Sequence, residues 1–313
     1  MNRRAELALV ALALIWGTSH VITKNILTAH TPFFYNSLRF GFASLCFGLL
    51  FAGHLRRAAS REIRQGALLG LFSFVGIICY SVGLIFTAAS KAGFITGLYL
   101  VFTPLVAFAL FRARPAADHL VGLVVAICGF GILSYPQGGT TFNWGDGLIL
   151  FAALAWAFHI AATSHFASQS DVKTLAAAQV FTVTLLSIAV YFVLRYAVGT
   201  NWPAPLDRLP SLEARPNVWQ TNTMLQIAYM ALVVTFAAAL LQTWAQGKVA
   251  ATYAVLLYAL EPVTAALFAW AVLGERLTAR SIVGASLIVL GVFISRLNLW
   301  QRLAGAERGA LAT

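Results

Sequence analysis

The chain has 313 residues and a net charge of +11, is 60% hydrophobic and only 10% charged. Soluble domains carry roughly 25% charged residues, so too little charge is present to cover an ordinary water-facing surface. Nucleic-acid binding is excluded as well: the basic residues form no patch but sit in short connections between apolar runs, where such residues orient membrane helices.

The apolar runs are long enough to cross ~30 Å of hydrocarbon as helices, and the lipid bilayer is the expected surroundings. In chain order the spans are expected at about 5–28, 32–53, 64–86, 91–111, 118–135, 144–166, 173–195, 224–246, 250–273 and 278–298. The first run begins like a signal peptide, with Arg3 and Arg4 before apolar residues. It continues past Trp16 to about Leu27 without a small-residue cleavage site, and therefore reads as a transmembrane helix. Most connections are short, and the longest, about 197–223, holds Pro203, Pro205, Pro210 and Pro216. None has room for a soluble catalytic domain. Gly247-Lys248 lacks the earlier glycine of a phosphate loop, so no nucleotide or other cofactor is expected.

With the N-terminus inside, the early inner connections hold Arg3, Arg4, Arg56, Arg57, Arg61, Arg64, Arg112 and Arg114. Fewer basic residues fall outside, Lys24 and Lys91 among them at outer span ends; Arg276 and Arg280 run against the trend. The bias places both termini in the cytoplasm, and the expected location is the plasma membrane, the bacterial inner membrane. Cys46, Cys79 and Cys128 all lie in apolar runs. Their spacing suits neither a disulfide framework nor a metal site, and no metal is expected.

The chain repeats itself. Residues 92–111 and 250–269 align on Pro104 and Pro262, with matches at Ala92/Ala250, Leu98/Leu256 and Ala107/Ala265. A glycine-marked span follows each, with Gly122 and Gly129 in the first half and Gly284 and Gly291 in the second. Earlier in each half, Leu14-x-Trp16 matches Leu154-x-Trp156. Five spans per half reverse the second half across the membrane. The expected fold is an all-α integral membrane protein, ten transmembrane helices as two inverted five-helix repeats, residues 1–136 and 137–298, with a cytoplasmic tail, 299–313. Such pairs place substrate between the halves near the bilayer midplane. Pro104 and Pro262 each remove a backbone hydrogen bond and form a candidate hinge pair. Gly66-x-x-x-Gly70 and Gly93-x-x-x-Gly97 are candidate sites of close helix approach.

Residues 244–295, with Glu261-Pro262, Gly274-Glu275-Arg276-Leu277-Thr278 and a glycine-marked last span, resemble the signature half of the EamA-type family in the drug/metabolite transporter superfamily. The first half carries Ile15-Trp16-Gly17, Leu38-Arg39-Phe40 and Lys91-Ala92-Gly93-Phe94-Ile95-Thr96-Gly97. It departs from the pattern at Phe111–His119, where no Gly-Glu pair occurs. The resemblance, over about residues 5–298, implies export or exchange of small metabolites. It is nearest to the YddG-type exporters of aromatic and other neutral amino acids, and multidrug exporters of the same family are the alternative. A single chain is compatible with that plan.

Glu261 is the only carboxylate near the middle of a span, and an ionisable group at that depth is a functional candidate. It either takes up a proton, holds a substrate amine, or bonds a neighbouring helix where Pro262 frees a carbonyl. Arg39 either pairs with a substrate carboxylate or extends to headgroups. His20 and His159 lie near the matched tryptophans as proton relays or as satisfied polar contacts. Trp16, Tyr80, Tyr99, Trp156, Tyr253 and Tyr258 present flat apolar faces with one polar group each and are candidate lining for an amino-acid cavity, with Ser19 as a neutral polar contact. An enzyme is not expected: the spans hold one central acid, and Gly17-Thr18-Ser19-His20 lacks the Gly-x-Ser-x-Gly form.

Overall fold

The computed structural model describes residues 2–87, 89–134, 142–197, 199–200, 207–273 and 278–297. Every regular element among them is helical: α1 (Arg3–Ala29), α2 (Pro32–Leu55), α3 (Ser60–Phe86), α4 (Ala89–Thr96), α5 (Tyr99–Phe111), α6 (Ala117–Ser134), α7 (Trp144–Ala167), α8 (Val172–Tyr196), α9 (Arg208–Glu213), α10 (Thr221–Ala231), α11 (Ala238–Gln246), α12 (Ala251–Tyr258), α13 (Glu261–Leu273) and α14 (Ala279–Ile294). A π-helical turn, Leu232–Ala237, joins α10 to α11. Eight helical stretches are long and apolar enough to cross a membrane. The shorter α14 is also apolar. The expected loop motif at Gly274–Leu277, the prolines Pro203 and Pro205, and the tail lie outside the described residues.

Polar residues at the boundaries set where the helices start. Asn2, Asn143, Asp171 and Thr278 each accept a hydrogen bond from a first-turn backbone N–H, at Ala5 (3.3 Å), Asp146 (3.0 Å), Thr174 (2.8 Å) and Ser281 (3.1 Å). These satisfy donors that the helix itself leaves unpaired. Pro32 opens α2, where its missing N–H costs nothing. α5 ends on Arg112, whose φ of 54° is left-handed, and the N–H of Ala113 bonds back to the carbonyl of Ala107 (3.2 Å). Glycine is the usual residue there.

Large apolar side chains point away from the bundle along its length: Leu49, Leu105, Val124, Leu185 and Phe293 are all more than half exposed. A belt of that kind is what lipid contact requires. Inside, contacts are close because small residues line the crossings. A Cβ on Gly122 would lie 2.4 Å from the carbonyl of Gly291, and one on Gly129 would lie 2.6 Å from that of Gly284. α6 and α14, the final helices of the two sequence repeats, therefore cross antiparallel through their matched glycines. Gly66 and Gly70 meet α8 at Leu175, Ala178, Gln179 and Thr182, as the small-residue spacing predicts. The other expected approach is half realised: Gly97 lies under the ring of Phe130, but Gly93 faces open space.

Two spans read as continuous are broken. The chain turns at Gly97–Leu98 between α4 and α5, and at Ala259–Leu260 between α12 and α13. Tight backbone bonds carry it across, Leu98 N–H to Ile95 (3.1 Å) and Leu260 N–H to Leu257 (3.2 Å). The kink expected at Pro104 is thus displaced. Pro104 is buried inside an unbroken α5, and the break comes where Gly97 admits the Phe130 ring, to which a Cβ would approach within 2.0 Å. Pro262 sits just after its break, as the second residue of α13, a position that accepts proline and stops the helix before it.

Candidate substrate site

The breaks bring chemistry to one place. Tyr258 is the last residue of α12 and Glu261 the first of α13, while Tyr99 opens α5. The carboxylate of Glu261 lies within electrostatic reach of the hydroxyls of Tyr80, Tyr99 and Tyr258. As the first residue of α13 it also stands at the positive end of that helix, where a negative charge is favoured. Trp16 from α1 packs on Tyr258 with ring centroids 5.1 Å apart. Trp156 from α7 packs on Tyr80 at 5.6 Å and lies over Gly76, where a Cβ would come within 2.5 Å of its indole nitrogen. Trp16, Tyr99 and Tyr258 share one apolar cluster with Phe94 and Ile160. Five aromatic side chains and one acid thus converge from α1, α3, α5, α7, α12 and α13. Tyr258 is buried, and its hydroxyl has no hydrogen-bond partner of ordinary geometry among the described residues. The Gln242 amide is poised beside it.

α1 is held against α13 at this level. A Cβ on Gly17 would meet the Thr264 hydroxyl at 2.1 Å. That hydroxyl is within hydrogen-bonding distance of the carbonyls of Ala13 (2.9 Å) and Glu261 (2.8 Å). Trp16 and Glu261 are consequently placed by the same crossing.

Other expected residues are engaged elsewhere. The Nε of Arg39 donates to the Thr235 hydroxyl at 2.6 Å, and its guanidinium lies 5.2 Å from the Phe40 ring centre. Thr235 in turn donates to the carbonyl of Met230 five residues back (2.9 Å), the spacing of a π-helical turn. Such turns recur at functional sites. Nothing in an apolar run announces a π-turn at Thr235; Arg39, a half-buried cation in need of an acceptor, is the available signal.

His159 is buried, with its Nε2 3.0 Å from the Gln179 side-chain oxygen. Gln179 donates to Thr243 at 3.2 Å, and Thr243 donates to the carbonyl of Ala239 at 2.7 Å. Since Gln179 Oε1 only accepts, Nε2 of His159 carries the proton. The imidazole therefore ties α7, α8 and α11 together. The Ser19 hydroxyl turns back to the carbonyl of Trp16 (2.7 Å). Tyr253 is fully buried and stacks on His119 with centroids 4.8 Å apart. Its hydroxyl accepts from the Nε of Arg296 (3.2 Å), which draws it to that end of the bundle. The side chains of His20 and Lys24 lie outside the described part of the structure. Among the described residues, no three His, Cys, Asp or Glu side chains gather as metal ligands.

The chain matches known proteins along nearly its whole length. The sequence profile of the EamA-like transporter family fits it twice, at residues 3–135 and 143–297. A protein of Archaeoglobus fulgidus described as an uncharacterized transporter is 33% identical over 295 residues, covering 94% of this chain and 86% of its own length. A second uncharacterized transporter of that organism is 24% identical over 304 residues, 94% of this chain and 98% of its own. A solved crystal structure 19% identical superposes with a TM-score of 0.76 over 97% of this chain and 99% of its own, a likeness of fold. With both halves fitted by one transporter profile, this multi-pass membrane protein belongs to the EamA-like transporter family.

Proposed function

We propose that the protein exports or exchanges aromatic and other neutral amino acids across the bacterial inner membrane by alternating access, as YddG-type exporters do. The observation that carries the reading is the convergence of Trp16, Tyr80, Tyr99, Trp156 and Tyr258 around Glu261 at two helix breaks. Discontinuous helices at midplane are where transporters of this general plan bind substrate. Flat apolar rings suit an amino-acid side chain, and the carboxylate suits an amine or a coupled proton. In this reading the chain has ten spans as two inverted five-helix repeats, 1–136 and 137–298, with both termini and the 299–313 tail in the cytoplasm. The antiparallel crossing of α6 and α14 through matched glycines supports the inversion.

Bending would occur at 97–98 and 259–260, with Pro104 and Pro262 stiffening the helices that swing. Arg39, His159, Ser19 and Tyr253 would support the cavity through the contacts described above, and His20, four positions after Trp16 in the sequence, remains part of the proposed site.

The test is counterflow in liposomes containing only this protein, with labelled aromatic, aliphatic and charged amino acids and with or without a pH gradient. Exchange of the neutral members is expected, with Trp16→Ala and Tyr99→Ala altering the order of preference. No movement of any amino acid by folded protein would sink the assignment and turn the search to drugs. If a pH gradient drives transport, Glu261→Gln should abolish that dependence.

A further inference from the structure

Two buried carboxylates outside the aromatic cluster occupy matched places in the two halves. Glu6 and Asp146 each stand eight residues before the leucine of the repeated Leu-x-Trp, Leu14 and Leu154. Both fall in the first turn of their helices, α1 and α7. Both are buried, at 3% and 0% exposure. A carboxylate out of water requires a partner, and each has one. Glu6 Oε2 accepts from Arg296 Nη2 at 2.6 Å. Asp146 Oδ2 accepts from Lys91 Nζ at 2.5 Å and from the Asn143 N–H at 2.7 Å, while Oδ1 accepts from the Thr87 hydroxyl.

The two pairs lie at opposite ends of the bundle. α1, α2 and α3 follow one another through short turns, so α3 runs in the direction of α1. α7 runs against α3, because Gly76 meets Trp156 while Gly83 meets Gly145 and Ile149. The first turns of α1 and α7 therefore face opposite sides.

What each pair connects is also equivalent. Lys91 lies on α4, the short piece of the first broken helix, so Asp146 ties α7 of the second half to a segment of the first. Arg296 also holds the hydroxyl of Tyr253 on α12, the short piece of the second broken helix. Glu6 thereby ties α1 of the first half to a segment of the second. At one end the ion pair fastens the short segment α4 directly, and at the other the paired arginine fastens α12 through the Tyr253 hydroxyl.

We infer that Glu6–Arg296 and Asp146–Lys91 are opposing latches, one closing each end of the substrate path, such that releasing one favours closure of the other. The inference rests on the alternating-access reading above but not on the amino-acid assignment. Both pairs are formed together in this structure, which is closed at both ends in this reading, and a state open at one end lacks the pair there; removing that pair shifts the population toward the state that lacks it. Glu6→Gln loses the charge that holds its end shut and populates the state open there, in which the Asp146 end is closed. Asp146→Asn does the reverse.

Hydrogen–deuterium exchange of the full chain in nanodiscs reads both ends at once. Glu6→Gln should raise exchange in the first turns of α1 and in α12 and lower it in α4 and the first turn of α7, by about tenfold at each end. Asp146→Asn should give the mirror pattern. Arg296→Gln and Lys91→Gln, which remove the same contacts from the other side, should reproduce the patterns of Glu6→Gln and Asp146→Asn respectively. A change confined to the altered end, or of the same sign at both ends, overturns the latches. If reciprocal exchange appears while no amino acid moves in liposomes, the substrate assignment alone falls. If amino acids exchange without it, the latches alone fall.

Discussion

Adding one methyl group at Gly17 tests how the site is assembled. In Gly17→Ala the new Cβ would stand 2.1 Å from the Thr264 hydroxyl, 2.9 Å from the Thr264 Cβ and 3.0 Å from the Ala265 backbone nitrogen. Rotation of one side chain relieves only the first contact; the other two require α13 to move off α1. Overpacking of this kind costs about 1–3 kcal/mol. The interhelical hydrogen bond from Thr264 to Ala13 would be lost as well, worth ~0.6 kcal/mol on average within a membrane. A loss of about 2–3 kcal/mol is therefore expected in reversible unfolding from mixed micelles. Transport should fall with it, because Trp16 adjoins Gly17 and Glu261 lies one turn before Thr264. Thr264→Gly removes the hydroxyl and its Cβ and leaves only the 3.0 Å contact, so the double variant should recover about 1 kcal/mol or more of the loss relative to additivity. Wild-type stability and transport in Gly17→Ala would refute the claim that this crossing sets the site.

Three further outcomes follow from contacts already described. Thr235→Ala strips Arg39 of its acceptor and should cost about 1.5–3 kcal/mol in the same unfolding assay, with Thr235→Ser restoring most of it. Gly129→Leu drives a side chain into the Gly284 carbonyl and should destabilise the protein by at least about 2 kcal/mol, whereas leucine at Gly93, which faces open space, should cost less than about 1 kcal/mol. On α9, burial raises the Glu213 carboxyl above the usual glutamate range, despite the N–H groups of Phe33 and Phe34, Thr31 and Arg215 opposing it. A raised pKa in the docked state means docking binds a proton, so its stability is fully present below the ordinary glutamate value and is lost as pH rises through the raised one. Exchange of the α9 backbone amides should therefore rise with pH across that window beyond the intrinsic chemical rate, and Glu213→Gln should flatten the rise.

The helical architecture was readable because crossing hydrocarbon demands long apolar runs, whereas the capping bonds of Asn143, Asp171 and Thr278 that fix where several helices begin emerge from the structure. The matched glycines were readable as a repeat, but their antiparallel meeting is a contact between distant segments. The breaks were not legible: the sequence reads as two continuous spans with kinks at Pro104 and Pro262, and the chain instead turns at 97–98 and 259–260. Proline is a visible cause of kinking, whereas the break at Gly97 depends on a ring from another helix, Phe130. Of the aromatic candidates, Trp16, Tyr80, Tyr99, Trp156 and Tyr258 gather around Glu261, but composition could not distinguish them from Tyr253, which the Arg296 guanidinium draws to one end. The partner of Arg39 was hidden in the same way, by a π-turn that changes which face Thr235 presents.

The crossing of α6 and α14 has the form of a handshake between identical hands. Gly122 meets Gly291 just as Gly291 meets Gly122, each Cβ position 2.4 Å from the other's carbonyl, and Gly129 and Gly284 do the same. A contact of this kind is isologous, like the interface of a two-fold dimer, although both surfaces belong to one chain. Its consequence is an equality: a methyl group added to either member of a pair invades the same kind of backbone space, so Gly122→Ala and Gly291→Ala should be matched in severity despite being 169 positions apart in the sequence. Through this seam the two halves bear on each other as equals.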